Sequence, residues 1–592
     1  MTPTTSPANR LFSLVKYAAI LLVIIKAVLA FATVFDTLIL GDNDDIMRLM
    51  SVRGWLSGQS WFDMTQYRVL PPEGVSMHWS RFVDLGLAAL IVPASWLVEM
   101  PMAEQFALVV WPSLIAIALI LITAHGSHRA LGPIGAIAAI ACLMLWFPTG
   151  GMFLAPGRID HHNVQILAMT ILTYAMISES PATRRGILAG LATAASLAVG
   201  LETLVYIATA GGIMALRASL DRPGANRLLA TFCLTLVPAT ALLLAAQTAP
   251  AQWLTPQCDA IGTPILAITG IAAAACLIPM ALRTRLPHAG MRMAATALLT
   301  VLGIAAFSGL LMPCLAGPYG ALPPEIQTLM TTRISEAQPG MVFAAGRPLS
   351  FGTIFLPALT AVLLAALLWA TRAAPPAVWQ MIVLALVGAI GSFAQIRVIT
   401  LAAPALPFLA GYVFASLAPL WRAQRSPLTA LAIVVAFLGI FAPKITTSVG
   451  LNIAHAISGP DGARKADDVS QDRTCRDADI LTSLNALPPA RLLTPLNLGT
   501  PLLLLTHHSA LTAPYHRSAD AFANGVNPFI DAGQMTAALA RTKADYVVIC
   551  RAETPVPEFA VTRALLDGAG FDGLVEETIA SPDLMVFKVV RP

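Results

Sequence analysis

Charge is scarce in this chain of 592 residues: Asp, Glu, Lys and Arg make up 11% of it, against roughly 25% in an ordinary soluble protein. That shortage, with 57% hydrophobic residues and a mean hydropathy of +0.74, excludes a water-soluble globule. A net charge of only +4 gives no reason to expect nucleic acid as a partner. Internal repeats and low-complexity tracts are missing too, which argues against a solenoid or a disordered linker protein. What is present is a succession of apolar runs separated by short Arg-bearing connectors, the pattern of a polytopic α-helical membrane protein embedded in membrane lipids.

The first run, Leu11 to Phe35, follows Arg10 and is about twice the length of a signal-peptide core, so it reads as a retained span. Further spans are expected near 104–124, 132–147, 164–178, 186–199, 202–216, 228–246, 264–282, 294–312, 350–370, 378–393, 398–418 and 427–443, about thirteen helices in all. A cytoplasmic N-terminus then places the connectors carrying Arg129, Arg184 and Arg185, Arg217, Arg283, Arg372 and Arg422 on the cytoplasmic side, as the positive-inside rule requires. Leu85–Val98 is short for a span and reads as an interfacial or re-entrant helix.

An odd span count leaves the C-terminal part outside. The expected division is a transmembrane domain over 1–444, with outer loops 36–103 and 313–350, and a small extracytoplasmic (periplasmic) α/β domain over 445–592. In the latter, strand-like runs at Arg491–Thr494, Ala544–Cys550 and Leu584–Val590 alternate with helix-like Asp477–Leu487, Asp531–Thr542 and Glu558–Leu566. The expected location is the bacterial inner (plasma) membrane.

Cysteine is sparse, and its placement is informative. Of seven, Cys142, Cys233 and Cys276 fall within spans as small hydrophobes, while the other four map outside. An even number on an oxidising side predicts the bridges Cys258–Cys314 and Cys475–Cys550; the alternative is four free thiols.

Ionisable residues beside apolar helices are costly to keep, so their positions point to chemistry. Gly41-Asp42-Asn43-Asp44-Asp45-Ile46-Met47-Arg48 opens the first outer loop, and Gly157-Arg158-Ile159-Asp160-His161-His162-Asn163 falls at the outer end of another span. Carboxylates and an imidazole from such loops suit a divalent cation, oxygen-rich ligation favouring Mg²⁺ or Mn²⁺ over zinc. The plainer reading makes Asp42 or Asp160 a helix cap and the His pair a solvated one. For Glu202, a charge at a helix N-terminus stabilised by the dipole is favoured over a place in the same cavity.

Asp42 to Arg48, an acidic residue and an Arg six apart after the first helix, resembles the first-loop motif of the oligosaccharyltransferase catalytic subunit, a type C (GT-C) glycosyltransferase. Gly157-Arg158-Ile159-Asp160-His161-His162 resembles that family's second acidic motif in its archaeal style, with His as the last ligand. Ser335-Glu336-Ala337-Gln338-Pro339 is similar to its Ser-Glu-x-Gln-Pro loop, and Arg397 to the arginine before its twelfth span. The resemblance covers the membrane part and implies a GT-C fold. It further implies Asp42, Asp160 and His162 as ligands of Mg²⁺ or Mn²⁺, Asp42 and Glu336 as the catalytic carboxylates, and Arg397 and Arg48 at the donor phosphate or acceptor. His516 and Arg517, near His507, His508 and Tyr515, are expected to line the same donor or acceptor site.

The implied activity is transfer of a sugar or glycan from a polyprenyl-(di)phosphate donor to an extracytoplasmic lipid, glycan or protein acceptor. The chain departs from the family where the latter carries a Trp-Trp-Asp acceptor motif. No Trp follows Trp421, and the corresponding stretch is Thr494-Pro495-Leu496-Asn497-Leu498-Gly499, so an Asn-x-Ser/Thr acceptor is not expected. The rival classes are a transporter or flippase of lipid-linked glycans, which inverted repeats would favour, and a non-catalytic membrane scaffold.

Overall fold

The computed structural model describes residues 6–33, 41–320, 322–372, 375–458, 474–551, 558–579 and 581–591; Val34 and Phe35 of the first expected span, and the start of the first loop at Asp36, lie outside them. The chain divides into two units. One comprises Met1–Thr33, Phe106–Gly320 and Ile334–Asp467, the other Val34–Gln105, Ala321–Arg333 and Asp468–Pro592.

In the first unit each apolar segment read as a span is helical, from Pro7–Thr33 to Pro427–Phe441. Two of the segments share Met100–Leu145, which breaks at Gly132 (φ 75°) just before Pro133, a residue without an N–H to continue the ladder. Among the described residues six helices are each long and apolar enough to cross a bilayer, and two bent pairs, Ile396–Ala402 with Leu406–Ala423 and Pro427–Phe441 with Pro443–Ile453, pass together. His162–Ile177, Leu204–Ser219 and Ala377–Gly391 are shorter apolar helices.

Helix Ala182–Val199 lies very close to Ala225–Gln247. A Cβ on Gly186 would sit 2.6 Å from the Leu228 carbonyl oxygen, and one on Gly190 would sit 2.9 Å from that of Phe232, so the two glycines four apart are what let the backbones touch.

The second unit holds a mixed sheet in the order Ser509–Ala510, Arg491–Leu493, Tyr546–Cys550, Leu584–Val589, Leu574–Glu577, parallel over its first three strands and antiparallel over the rest. Tyr546–Cys550, in the middle, is buried at every position, as a run of Val and Ile between two covered faces should be. Helices Ala532–Thr542 and Ala560–Leu566 fall where expected; the strands Ser509–Ala510 and Leu574–Glu577 are additions.

The first outer loop belongs to this unit, together with the residues from Asp468 on. Met47, Val75, Met77 and Trp79 share a core with Leu503, Ala513 and Tyr515. Val69 bridges in parallel to Ala510, whose N–H donates to the Arg68 carbonyl at 2.9 Å. A two-residue edge strand leaves polar backbone open, and the loop covers it. Arg68 also donates to the carbonyls of Leu503 (2.8 Å) and Thr506 (2.6 Å), which helix Gly499–Leu505 leaves unpaired at its end. Leu85–Val98 falls largely on helix Arg81–Ser95 of this unit, capped by Ser80. The bridges close as Cys258–Cys314 (Cα–Cα 5.0 Å) in the first unit and Cys475–Cys550 (5.8 Å) in the second.

Candidate metal centre

Asp160, His161 and His162 sit where the chain enters helix His162–Ile177, with Asp160 and His161 buried. His161 faces a carboxylate from each ring nitrogen, Asp160 Oδ1 at 2.5 Å from Nδ1 and Glu202 Oε1 at 3.1 Å from Nε2. Burial opposes a charge on this imidazole, but Asp160 and Glu202 outweigh it and hold its pKa up at about 10. Glu202, whose own burial also opposes ionisation, is held well below the ordinary carboxylate range by His161. Both groups lie in connectors rather than within the helices. His161 therefore stands as a doubly donating imidazolium that orients Asp160, although its nitrogens belong to the same cluster of possible ligand atoms.

The other end of the cluster has the opposite polarity. Gln165 Nε2 donates to Glu202 Oε2 at 2.7 Å, which turns its amide oxygen toward His162 Nδ1, 3.4 Å away. This amide orientation suits the tautomer with its proton on Nδ1 and its lone pair on Nε2. That lone pair faces Asp160 Oδ2 at 3.5 Å. Two such atoms at this distance can share one cation, since 3.5 Å is about the span of two ligand atoms on one ion at bonds of about 2.1 Å. The residues therefore fit a divalent cation held by Asp160 and His162, with His161 and Glu202 behind them.

Glu202 is in the turn between Ala182–Val199 and Leu204–Ser219, and the expected dipole-stabilised role is replaced by contacts to His161 and Gln165. Gly200 makes room for it: a Cβ there would lie 2.4 Å from Glu202 Oε2 and 2.9 Å from Gln165 Nε2. Gln165 was missed in the sequence. Its signal was faint, an i+3 neighbour of His162 on one helical face.

A second pair in the same unit joins two motifs distant in sequence. Arg397 Nη1 lies 3.8 Å from Glu336 Oε1, while its other nitrogens donate to Tyr319 Oη at 2.9 Å and Gln395 Oε1 at 3.2 Å. Backbone clips hold the two segments together, Ile396 N–H donating to the Gln338 carbonyl at 2.9 Å. Tyr319 is the further residue that no motif announced.

Neither a protein-family model nor a curated protein matches this sequence. Solved structures do. The archaeal oligosaccharyltransferase AglB of Archaeoglobus fulgidus, in complex with an inhibitory peptide and a dolichol-phosphate, superposes with a TM-score of 0.66 at 14% identity, over 92% of this chain and 70% of that one. This chain has the GT-C fold of the oligosaccharyltransferase type. The A. fulgidus oligosaccharyltransferase in complex with Zn and sulfate is similar at a TM-score of 0.61 and 13% identity, over 91% of this chain and 68% of that one. The same enzyme tethered to an acceptor peptide containing the NVT sequon gives 0.62 and 12%, over 97% and 74%.

The remaining expected residues all belong to the second unit. Asp42 caps helix Asn43–Leu56: its Oδ1 accepts from the N–H groups of Asp44 and Asp45, and Asp45 Oδ2 accepts from the Asp42 N–H. Capping and ligation are compatible, since each carboxylate oxygen has two lone pairs.

Arg48 must be corrected as a donor or acceptor contact. It is fully buried, pairs with Asp84 at 3.0 Å and stacks on Trp79 at 4.5 Å, so its guanidinium is walled into the protein. Asp84 also pairs with Arg81 at 2.9 Å. Arg517 donates to the Met77 carbonyl at 3.1 Å, and the His516 ring lies 4.5 Å from that of His78, so both rest on the first-loop segment. His508 is structural: it is buried, Nδ1 accepts from the Ala490 N–H at 3.2 Å and Nε2 donates to the Leu484 carbonyl at 2.8 Å.

Proposed function

We propose that this chain is an integral-membrane glycosyltransferase that moves a sugar or glycan from a polyprenyl-(di)phosphate donor to an extracytoplasmic acceptor other than an Asn-x-Ser/Thr sequon. The observation that carries this reading is the pair of facing atoms, Asp160 Oδ2 and His162 Nε2, in a chain of GT-C fold. A divalent cation there, Mg²⁺ or Mn²⁺, supplies charge neutralisation for the departing phosphate oxygen. The chain's own residues do the rest. His161, clamped between two carboxylates, keeps Asp160 Oδ2 directed at His162. Arg397, steadied by Tyr319 and Gln395, presents a fixed positive charge beside Glu336, suited to a donor phosphate. Glu336 and Asp42 are the carboxylates assigned by motif to position the acceptor nucleophile or accept its proton.

Reading a sequon requires a buried carboxylate for the Ser/Thr hydroxyl and an aromatic wall. The segment Thr494-Pro495-Leu496-Asn497-Leu498-Gly499 offers neither, which supports a lipid, glycan or other hydroxyl-bearing acceptor. With the N-terminus cytoplasmic, the second unit faces the periplasm of an inner (plasma) membrane.

The test offers the purified chain a labelled polyprenyl-linked donor pool, a sequon peptide and a lipid-extract acceptor, with and without chelator. Label should enter the lipid or glycan fraction, disappear with chelation and return with Mn²⁺. Robust labelling of the peptide Asn would overturn the acceptor assignment, and transfer indifferent to metal would overturn the mechanism.

A further inference from the structure

Helices His162–Ile177, Ala182–Val199 and Leu204–Ser219 of the first unit each have one end beside His162 or Glu202, and their other ends meet at a group of arginines. Arg185 Nε and Nη2 donate to the carbonyls of Ala175 (2.7 Å) and Met176 (3.1 Å), which the first helix leaves unpaired at its end. The connector after the third helix reaches the start of the second. A Cβ on Gly224 would lie 3.6 Å from Ala182 Cβ, and the Arg222 N–H donates to the Arg217 carbonyl at 3.0 Å. Ala182–Val199 has 18 residues and is about 27 Å long, so the arginines stand about one hydrocarbon thickness away from Glu202.

Arg217 is half-buried and lies within electrostatic reach of both Arg185 and Arg222, all three of one sign. No carboxylate balances them. Asp221, the acidic residue of the connector, is taken by Arg292 at 2.5 Å, and Arg292 also donates to the Ser219 carbonyl at 2.6 Å. Among the described residues the side chains of Arg217 and Arg222 make no hydrogen bond or ion pair. Guanidiniums that repel one another in a half-buried place favour an anion between them.

A guanidinium fork matches the paired oxygens of a phosphate. The surroundings select a phosphate that carries acyl chains. Leu216 and Leu220, one turn apart and flanking Arg217, keep 37% and 44% of their surface exposed, and Ile187, two residues beyond Arg185, keeps 41%. A free phosphate gains nothing from such an apolar shelf. We infer that Arg185, Arg217 and Arg222 bind the phosphate headgroup of an anionic membrane phospholipid, with its acyl chains against Leu216 and Leu220. The bound lipid would tie together three helices whose far ends carry His162 and Glu202. The inference does not depend on the proposed activity.

The experiment uses the full-length protein, delipidated in detergent, with native mass spectrometry of added phosphatidylglycerol and phosphatidylcholine of matched chains. One phosphatidylglycerol should be retained under conditions that strip phosphatidylcholine. Arg217→Gln should lower its affinity about fivefold, and Arg217→Gln with Arg222→Gln about 25-fold, as expected for arginines at a membrane surface. Arg217→Lys, which keeps the charge without the fork, should fall between Arg217→Gln and wild type, and it decides the matter alone if Arg217→Gln melts early. Arg422→Gln, which removes an exposed arginine of another connector, should leave the affinity in place. Equal retention of the two lipids would overturn the inference, as would a double variant with wild-type affinity. So would an Arg422→Gln loss as large as that of Arg217→Gln, since the lipid would then feel only a diffuse positive field. Inorganic phosphate and glycerol 3-phosphate should fail to displace the lipid, and displacement at concentrations equal to the lipid's would reassign the arginines to a free anion.

Discussion

Asp160 Oδ2 and His162 Nε2 face each other at 3.5 Å, the two atoms of the candidate cation site. The arrangement is maintained from outside, by Glu202 acting on both His161 and Gln165. Removing either ligand atom should be far more costly than removing a nearby charge. Asp160→Ala is expected to lower metal-dependent transfer about a hundredfold or more, equivalent to roughly 3 kcal/mol at the transition state. Steady-state rates at saturating Mn²⁺ check this, and a normal rate would remove the metal centre from the mechanism.

Gly200→Ala should weaken the site without touching a ligand. The new methyl falls on Glu202 Oε2, so Gln165 loses its orientation and His162 its tautomer. We expect the Mn²⁺ requirement to rise about tenfold while excess Mn²⁺ recovers activity. An unchanged Mn²⁺ titration would mean that Glu202 does not support the centre.

Arg397 and Glu336 keep 29% and 40% of their side chains exposed, so their ion pair contributes little to stability. Arg397→Ala should therefore leave the unfolding temperature almost in place yet reduce transfer about a hundredfold, as expected when a preorganised positive charge is lost from a developing anion. Arg397→Lys should recover only part, since a point charge cannot keep the bonds to both Tyr319 and Gln395. Thermal unfolding measured beside the rate separates the two effects.

Asp84 carries the opposite expectation. It pairs with two buried guanidiniums, Arg48 and Arg81, and Asp84→Ala removes that carboxylate from both. A cost of about 3–5 kcal/mol follows, visible as earlier thermal unfolding and faster proteolysis of the first loop. A variant as stable as wild type would contradict the pairing.

The His508 imidazole is held neutral below its ordinary pKa of 6.5, chiefly by burial. The unfolded chain takes up a proton near 6.5 and the folded domain only at lower pH. Between those values the unfolded state binds more protons, so stability falls as the pH drops from above 6.5 toward the folded value and levels off below it. His508→Gln should flatten that part of the pH profile, measured by protease susceptibility of residues 474–551 in the full chain. An identical slope in the variant would assign the titration elsewhere.

The architecture was legible in the sequence because lipid imposes a strong, local constraint: a span needs about twenty apolar residues in a row, and each apolar segment is indeed helical. Tyr546–Cys550 and Leu584–Val589 were legible for the same kind of reason, since buried strands are continuous runs of Val, Ile and Phe. The acidic and histidine-bearing motifs could be seen as well. Their roles could not, because a side chain's chemistry depends on what faces it. Arg48 stood in a motif like a ligand contact and is buried against Asp84 and Trp79. Glu202 looked like a helix-end charge and supports His161 and Gln165. Tyr319 and Asn497 belonged to no pattern, and each completes a bond with a partner 78 or 454 residues away in the chain. The local run of residues determines where the chain becomes helix or strand. Only the tertiary structure, by bringing distant polar groups within hydrogen-bond reach and excluding water around them, decides which of them form a site.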